Sequence, residues 1–206
     1  MLSAIGYAQS QMVVTPPAWP TYWAGFYTLV NTTYASDLHS AGSWYADFRS
    51  YPKEDGLLRQ DMTYGCNGGG FSGSCRGIFK DNNFYQYSIA DNLCCLAFAN
   101  LAPTPPDWLV NISTATGSAQ YDWTGEPSST WQFMTTHTYY AALDTGLPVA
   151  ERGGGTDLIW YSLTSQVYNS DVYALSSNCS EACPSNQGKD LFRYILKNHL
   201  NFKGVE

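Results

Sequence analysis

Short segments in which apolar and polar residues alternate recur along most of the chain. They begin at Phe26, Gly42, Leu57, Phe84, Cys94, Ser118, Ser129, Thr138, Leu147 and Asp157. Alternation with a period of two predicts half-buried β-strands, and the segments of the second half follow one another at about ten-residue spacing. The pattern therefore predicts an all-β protein with minor α content, in which curved antiparallel sheets form a half-barrel or a sandwich.

Turn-forming residues separate these candidate strands. Residues 53–56, 81–83, 144–146 and 153–155 are rich in Gly, Asp and Asn and predict turns, with a hairpin at the second of them. Residues 103–109 interrupt the pattern with three prolines. A short helical turn is expected to start there at the second or third proline, because proline suits the first position of a helix.

The two ends of the chain differ from its body, residues 26–187, which form the predicted β domain. Residues 1–25 contain a segment that looks like the remnant of a signal peptide, followed by a Pro- and aromatic-rich arm over 12–25. Its three prolines exclude a helix and a central strand, so the arm either packs over its own domain or docks on a neighbouring copy. Residues 188–206 predict a short basic amphipathic helix that caps the sheet, contacts an acidic patch on another copy or rests on a membrane surface.

Composition narrows the possible partners. Aromatic residues make up 16% of the chain and charged residues 13%, which suits strands and an extracellular surface better than long helices. The net charge of −7 provides no basic field for a nucleic-acid partner. No apolar run of 18 residues is present, so the sequence predicts no membrane span.

The chain has six cysteines, which are Cys66, Cys75, Cys94, Cys95, Cys179 and Cys183. An even count in a chain with secretory features predicts three disulfides. A zinc site is the alternative, because the last two cysteines have a suitable spacing, but adjacent Cys94 and Cys95 chelate poorly and the histidines are isolated. We therefore expect no metal. We expect a local Cys66–Cys75 bridge, with Cys94 and Cys95 tied to Cys179 and Cys183.

Three Asn-x-Ser/Thr sequons occur, at Asn31, Asn111 and Asn178. A single sequon is weak evidence for glycosylation, because the pattern also arises by chance. Three sequons and six cysteines, however, both indicate the secretory pathway. Together they predict a secreted or extracellular protein, or one in the lumen of the secretory pathway, that carries N-linked glycans.

No arrangement typical of catalysis is found in the sequence. A nucleophile elbow is missing, and the Gly-rich segment 67–73 lacks the Lys-Ser/Thr pair of a phosphate loop. His137 lies in a Thr- and Tyr-rich candidate strand, where a cross-strand histidine is the ordinary explanation. The sequence therefore predicts no catalytic residues and no cofactor.

Seven motifs occur in a recognisable order within the body of the chain. They lie at 42–48, 58–61, 84–95, 105–109, 129–133, 139–149 and 173–184. In this order they resemble the ependymin-related proteins and their protist and algal relatives with a LolA-like fold. The resemblance implies two curved antiparallel sheets around a hydrophobic cleft, frequent dimers and lipid-like ligands. The first motif, with Arg49 and Pro52, also resembles the opening signature of lipocalins, in which a tryptophan seals one end of a barrel.

Two functional hypotheses follow from these patterns. In the first, a lipid or another hydrophobic small molecule binds an apolar cleft lined by Trp44, Phe84, Tyr87, Trp131, Tyr139 and Trp160. The alternative for these aromatics is that they fill a solid core. In the second hypothesis, the protein is a structural subunit that self-associates through its N-terminal arm and C-terminal tail into an oligomer, a fibre or a coat.

Overall fold

The structure, a computed structural model, describes residues 15–31, 38–63, 73–89, 92–165, 168–176, 179 and 181–183. It contains eleven strands: β1 Tyr22–Asn31, β2 Leu38–Asp47, β3 Leu57–Met62, β4 Cys75–Lys80, β5 Asn83–Ser88, β6 Leu93–Ala99, β7 Ser113–Gln120, β8 Pro127–Phe133, β9 His137–Ala142, β10 Pro148–Gly153 and β11 Thr156–Thr164. A short 3-10 helix spans Ser170–Tyr173. The N-terminal residues 1–14 and the predicted basic helix lie outside the described residues.

All eleven strands belong to one curved antiparallel sheet, which confirms the all-β prediction. Their order is β6-β5-β4-β3-β2-β1-β11-β10-β9-β8-β7. The last strand returns to pair with the first, with Tyr27 opposite Trp160, so the two halves of the chain join in one sheet. The predicted half-barrel agrees with this single curved sheet, whereas the sandwich alternative and the two sheets implied by the resemblance do not.

Several strands have limits that differ from the prediction, among them β1 and β7. β1 begins at Tyr22 and not at Phe26, because all three prolines of the arm precede it and leave its backbone N–H groups available. β7 spans Ser113–Gln120, whereas the predicted strand started at Ser118 and ran to residue 124. Every residue of β7 after the first is exposed, so its sequence carries no apolar alternation.

The predicted hairpin between β4 and β5 is confirmed. Asp81 and Asn82 form its two-residue turn with φ angles of 52° and 56°, the left-handed values that such turns require. The Pro-rich segment after β6 forms consecutive turns in place of the expected helical one, with Trp108 N donating to Pro105 O at 3.2 Å.

The two faces of the sheet differ in chemistry. In β2, Trp44 and Ala46 are buried in the main hydrophobic cluster, while the alternate residues Tyr45 and Asp47 lie on the opposite face. We call these the core face and the outer face. The core face carries the largest buried aromatic side chains, Trp23 and Trp44.

Two disulfides connect the edge strand β6 to the C-terminal segment. Cys94 bonds to Cys179 and Cys95 bonds to Cys183, as expected from the sequence. Cys75 is also disulfide-bonded, and its predicted partner Cys66 lies outside the described residues. Such bridges fit an extracellular or periplasmic location. No helix within the described ranges is long and apolar enough to cross a membrane.

Candidate functional site

Five tryptophans form a continuous layer on the core face. Trp23 of β1, Trp44 of β2 and Trp160 of β11 come from neighbouring central strands, and Trp19 and Trp108 come from the segments before β1 and after β6. The Trp23 and Trp44 rings are stacked with centroids 6.1 Å apart, and the Trp44 and Trp160 rings meet edge to face at 6.1 Å. We call these five residues the tryptophan layer.

Trp19 shows how the N-terminal arm is held. Its backbone N–H donates to Pro106 O at 2.9 Å, and its indole Nε1 donates to the Tyr139 hydroxyl at 2.9 Å. Its ring also lies 6.0 Å from that of Trp108. The arm therefore packs over its own domain at Trp19.

Five of the six predicted ligand residues lie on the core face. Trp44, Phe84, Trp131, Tyr139 and Trp160 all belong to the main buried cluster. They are at most 2% exposed, so they pack against neighbouring side chains and do not line an open groove. The structure thus places these five in one buried cluster, and their role in ligand binding stays a prediction.

Tyr87 does not belong with the others, and its assignment to the cleft is wrong. It is three residues after Phe84 in β5, and an odd separation along a strand places two side chains on opposite faces. Its ring lies 5.8 Å from the Arg76 guanidinium on the outer face, and its hydroxyl donates to Asn92.

Buried indole donors are the unusual feature of the tryptophan layer. The Nε1 atoms of Trp23, Trp44, Trp108 and Trp160 have no hydrogen-bond acceptor within the part of the chain that the structure describes. Buried indole N–H groups ordinarily find a partner, and an unsatisfied one costs about 1–3 kcal/mol. Four such groups in one layer indicate a surface suited to hydrogen-bond acceptors.

Glu151 brings a carboxyl group to the same face. It lies in β10 between Tyr139 of β9 and Leu158 of β11 and is fully buried. Burial raises the pKa of Glu151 well above its ordinary value of 4.5, because the charged form loses its hydration. Burial on the core face therefore favours the protonated, uncharged form of this acid.

Replacement of Glu151 tests this protonation. Because the folded-state pKa is raised, the stabilising contribution of the protonated group is complete below pH 4.5 and is lost as the pH rises through the folded-state value. We expect Glu151→Gln, which stays neutral, to match the wild type near pH 4 and to unfold at a higher temperature near pH 8. Thermal unfolding of both proteins across this range measures the difference, and a difference that does not change with pH would contradict the assignment.

A surface pocket has one member of the tryptophan layer, Trp160, among its lining residues. It lies at the turn between β9 and β10, and its walls include Leu147, Pro148, Val149 and Leu163. Trp160 also contacts Trp44 of the layer and Tyr139, but it is only 2% exposed, and the lining residues Ala142 and Val149 belong to a second, smaller buried cluster. We call it the Trp160 pocket.

The remaining predicted sites are distributed over the surface. Asn111 is exposed in a turn with φ of 67°, and Asn31 ends β1 opposite Thr156. Asn178 lies outside the described residues. His137 is buried, and its ring packs directly against the backbone of Gly153. A Cβ atom added to Gly153 would lie only 1.9 Å from the His137 ring, so residue 153 has no room for a side chain. The described ranges contain no group of three or more potential metal ligands.

Three members of the tryptophan layer were missed as site residues in the sequence. Trp19 and Trp23 fell within the predicted arm, and Trp108 fell within the Pro-rich interruption. A tryptophan next to prolines could have indicated this packing. A Pro-rich extended segment has few apolar side chains of its own, so a large indole ring in it is expected to pack on another part of the domain.

The solved structures with a similar fold are distant in sequence. An uncharacterized conserved protein from Thermus thermophilus superposes with a TM-score of 0.53 at 9% identity, over 79% of this chain and 90% of that protein. MucB, solved in complex with MucA, gives a TM-score of 0.43 at 12% identity over 80% of this chain, which spans 56% of the MucB chain. A DUF1329-family protein from Desulfovibrio piger gives 0.38 at 9% identity, over 74% and 88% of the two chains.

No protein-family model and no curated protein matches the sequence. The comparisons give no evidence for the ependymin part of the resemblance. The described sheet is open, with β6 and β7 at its ends, so it also differs from the closed barrel of the lipocalin alternative. The likeness to the Thermus protein establishes a shared all-β fold, which is compatible with a LolA-like architecture.

Proposed function

We propose that this chain is a secreted, non-catalytic protein that binds a lipid or another hydrophobic small molecule against the tryptophan layer. The observation that carries the proposal is the set of four buried indole donors without acceptors. An interior that served packing alone would leave all four unsatisfied, at about 1–3 kcal/mol each. A ligand that brings both apolar surface and acceptor oxygens removes that cost.

The chemistry of the layer defines the ligand class. The rings of Trp23, Trp44 and Trp160 offer apolar contact, and their N–H groups donate but do not accept. A carboxyl, ester or amide oxygen attached to an acyl chain matches both properties. Burial favours the uncharged form of Glu151, which would not repel an anionic headgroup.

The Trp160 pocket supplies the route to the layer. Leu147, Val149 and Leu163 give it apolar walls that an acyl chain can follow, and Glu126 is the charged residue among those that line it. For a ligand to enter the tryptophan layer, the aromatic rings beneath the pocket have to separate. We therefore expect the binding rate to depend on the size of the side chains at the mouth.

Ligand binding to the full-length protein tests the proposal. The protein is isolated with gentle extraction for native mass spectrometry, and the delipidated form is titrated with a fluorescent lauroyl probe. We expect bound lipid in the first experiment and, in the second, a change in the indole ¹⁵N–H resonances of Trp23, Trp44 and Trp160. Absence of bound lipid together with unchanged indole resonances would show that the aromatics form a solid core.

A matched pair of variants locates the entry. Leu147→Trp enlarges a side chain in the wall of the Trp160 pocket, whereas Leu143→Trp makes the same change at an exposed position of the same hairpin. We expect the first variant to weaken or slow uptake of the lauroyl probe at least about tenfold and the second to behave as the wild type. Equal uptake by both variants would exclude this pocket as the route.

N-linked glycosylation is part of the same proposal. Asn111 is exposed and its turn presents the side chain to solvent, so we expect it to carry a glycan in protein from a eukaryotic secretory host. Asn31 is partly buried at the end of β1 and is expected to be modified less completely. Peptide mapping after enzymatic deglycosylation measures the occupancy of both sites.

A further inference from the structure

We propose that a second pocket, on the outer face of the sheet, binds a neutral saccharide. It lies beside the turn between β10 and β11 and is lined by Asp122, Trp123, Thr136, Arg152 and the glycines 153–155. Glu151 lies on the core face, opposite Tyr139. Because successive residues of a strand face opposite ways, the side chain of Arg152 lies on the outer face. This site is separate from the tryptophan layer, and the proposal does not depend on lipid binding.

The guanidinium of Arg152 is fixed before any ligand arrives. Its Nε donates to both carboxylate oxygens of Asp157 at 3.0 and 3.1 Å, and its Nη2 donates to Asp157 Oδ2 at 2.9 Å. Asp157 is fully buried and also accepts the Tyr121 hydroxyl at 2.7 Å. The Arg152 Cζ atom lies 5.5 Å from the centre of the Tyr121 ring and 5.9 Å from that of Tyr140. A polar group held in this way loses little conformational entropy on binding.

Donor and acceptor capacity remains at the mouth of the pocket. Within the described part of the chain, the Nη1 group of Arg152 makes no hydrogen bond, and the side chain is 35% exposed. Its Nη2 also donates to Asp122 Oδ2 at 3.2 Å, and the Asp122 side chain is 72% exposed. A hydroxyl group both donates and accepts, so adjacent sugar hydroxyls can satisfy the guanidinium and the carboxylate together.

Trp123 provides an apolar platform next to these groups. Its ring is 42% exposed, although the six other tryptophans of the chain are buried. The negative face of an indole attracts the partly positive C–H groups of a pyranose ring. An exposed indole beside a fixed donor and an acceptor is the combination that a saccharide requires, because its two ring faces are apolar and its edges are polar.

The charge of the pocket selects against ionic ligands. Arg152 is positive, but Asp157 beneath it and Asp122 beside it contribute two negative charges. A phosphate or a carboxylate therefore gains no net attraction, and a cation would meet the guanidinium. A neutral ligand with many hydroxyl groups avoids both penalties.

Titration of the ¹⁵N-labelled full chain tests the proposal. Neutral methyl glycosides and the disaccharides cellobiose, lactose and chitobiose are added up to about 10 mM, with glucuronate and phosphate as charged comparisons. We expect at least one neutral saccharide to shift the indole N–H resonance of Trp123 selectively. We expect Trp123→Ala to weaken that binding at least about tenfold and Asp122→Ala to weaken it less.

Tyr161→Ala serves as the matched control. This aromatic side chain is 41% exposed but does not line the pocket, so the variant should bind the saccharide as the wild type does. Trp123 and Asp122 are also exposed, and thermal unfolding is expected to show that their variants fold normally. The proposal is overturned if no neutral saccharide shifts Trp123, if charged ligands bind as well as neutral ones, or if Trp123→Ala leaves the affinity unchanged.

Discussion

Removal of both disulfides at β6 is expected to cost about 6–7 kcal/mol of folding free energy, whereas removal of either one alone costs about 2 kcal/mol. The two bridges close loops of 85 and 88 residues that are almost the same loop. When one bridge is intact, the other closes a ring of only a few residues and constrains the unfolded chain little. Loss of both releases the long loop as well.

Denaturant unfolding of three variants measures this effect. Two of them replace one bridge with alanine pairs, at Cys94 and Cys179 or at Cys95 and Cys183, and the third replaces all four cysteines. Because a domain of this kind has only about 5–15 kcal/mol of stability, the third variant is expected to be largely unfolded at physiological temperature. Costs that simply add would show that the two bridges act independently and that the shared-loop explanation is wrong.

Truncation of Trp44 to alanine is expected to destabilise the protein by about 3–5 kcal/mol. Trp44 is fully buried and its ring contacts those of Trp23, Tyr27 and Trp160. The truncation therefore leaves a cavity in the middle of the tryptophan layer, bordered by strands that cannot collapse into it.

Trp123→Ala is the control, because it removes the same side chain as Trp44→Ala but from an exposed position. The expected change in unfolding free energy is therefore within about 0.5 kcal/mol. Urea unfolding followed by circular dichroism measures both variants. An added acyl ligand should restore part of the stability of Trp44→Ala if it occupies the vacated space, while no recovery would count against ligand access to the layer.

The central strands were predictable because one face of each is apolar. Alternation in β2 and β5 was sufficient to place Trp44 and Phe84 on the core face. The same parity argument, applied strictly, would have excluded Tyr87. β7 was shifted in the prediction because a strand exposed on both sides leaves no pattern to detect.

Local patterns could not predict that all strands join in a single sheet, or that the N-terminal arm packs on its core face. The pairing of β1 with β11 joins residues far apart in sequence, and nothing in either strand specifies the other as its partner. The same holds for Trp19, whose contact with Tyr139 makes the arm part of the interior. The pocket at Arg152 likewise depends on the turn 121–126 meeting the turn 153–155, which only the folded sheet brings about.

The two edges of the sheet are protected by different means. At β6, the N–H of Leu96 donates to Glu181 O at 2.7 Å and its carbonyl accepts from Cys183 N at 3.2 Å, so a covalently anchored segment occupies the hydrogen-bonding sites of Leu96 on that edge. At the opposite edge, β7 pairs only with β8 in the described chain and carries a bulge between Ala115 and Gly117 that interrupts its ladder. Edge-to-edge stacking into amyloid-like arrays needs two open edges on every copy. At Leu96 the β6 edge is therefore closed to a strand from another molecule, and the bulge in β7 makes the opposite edge a poorer template for pairing.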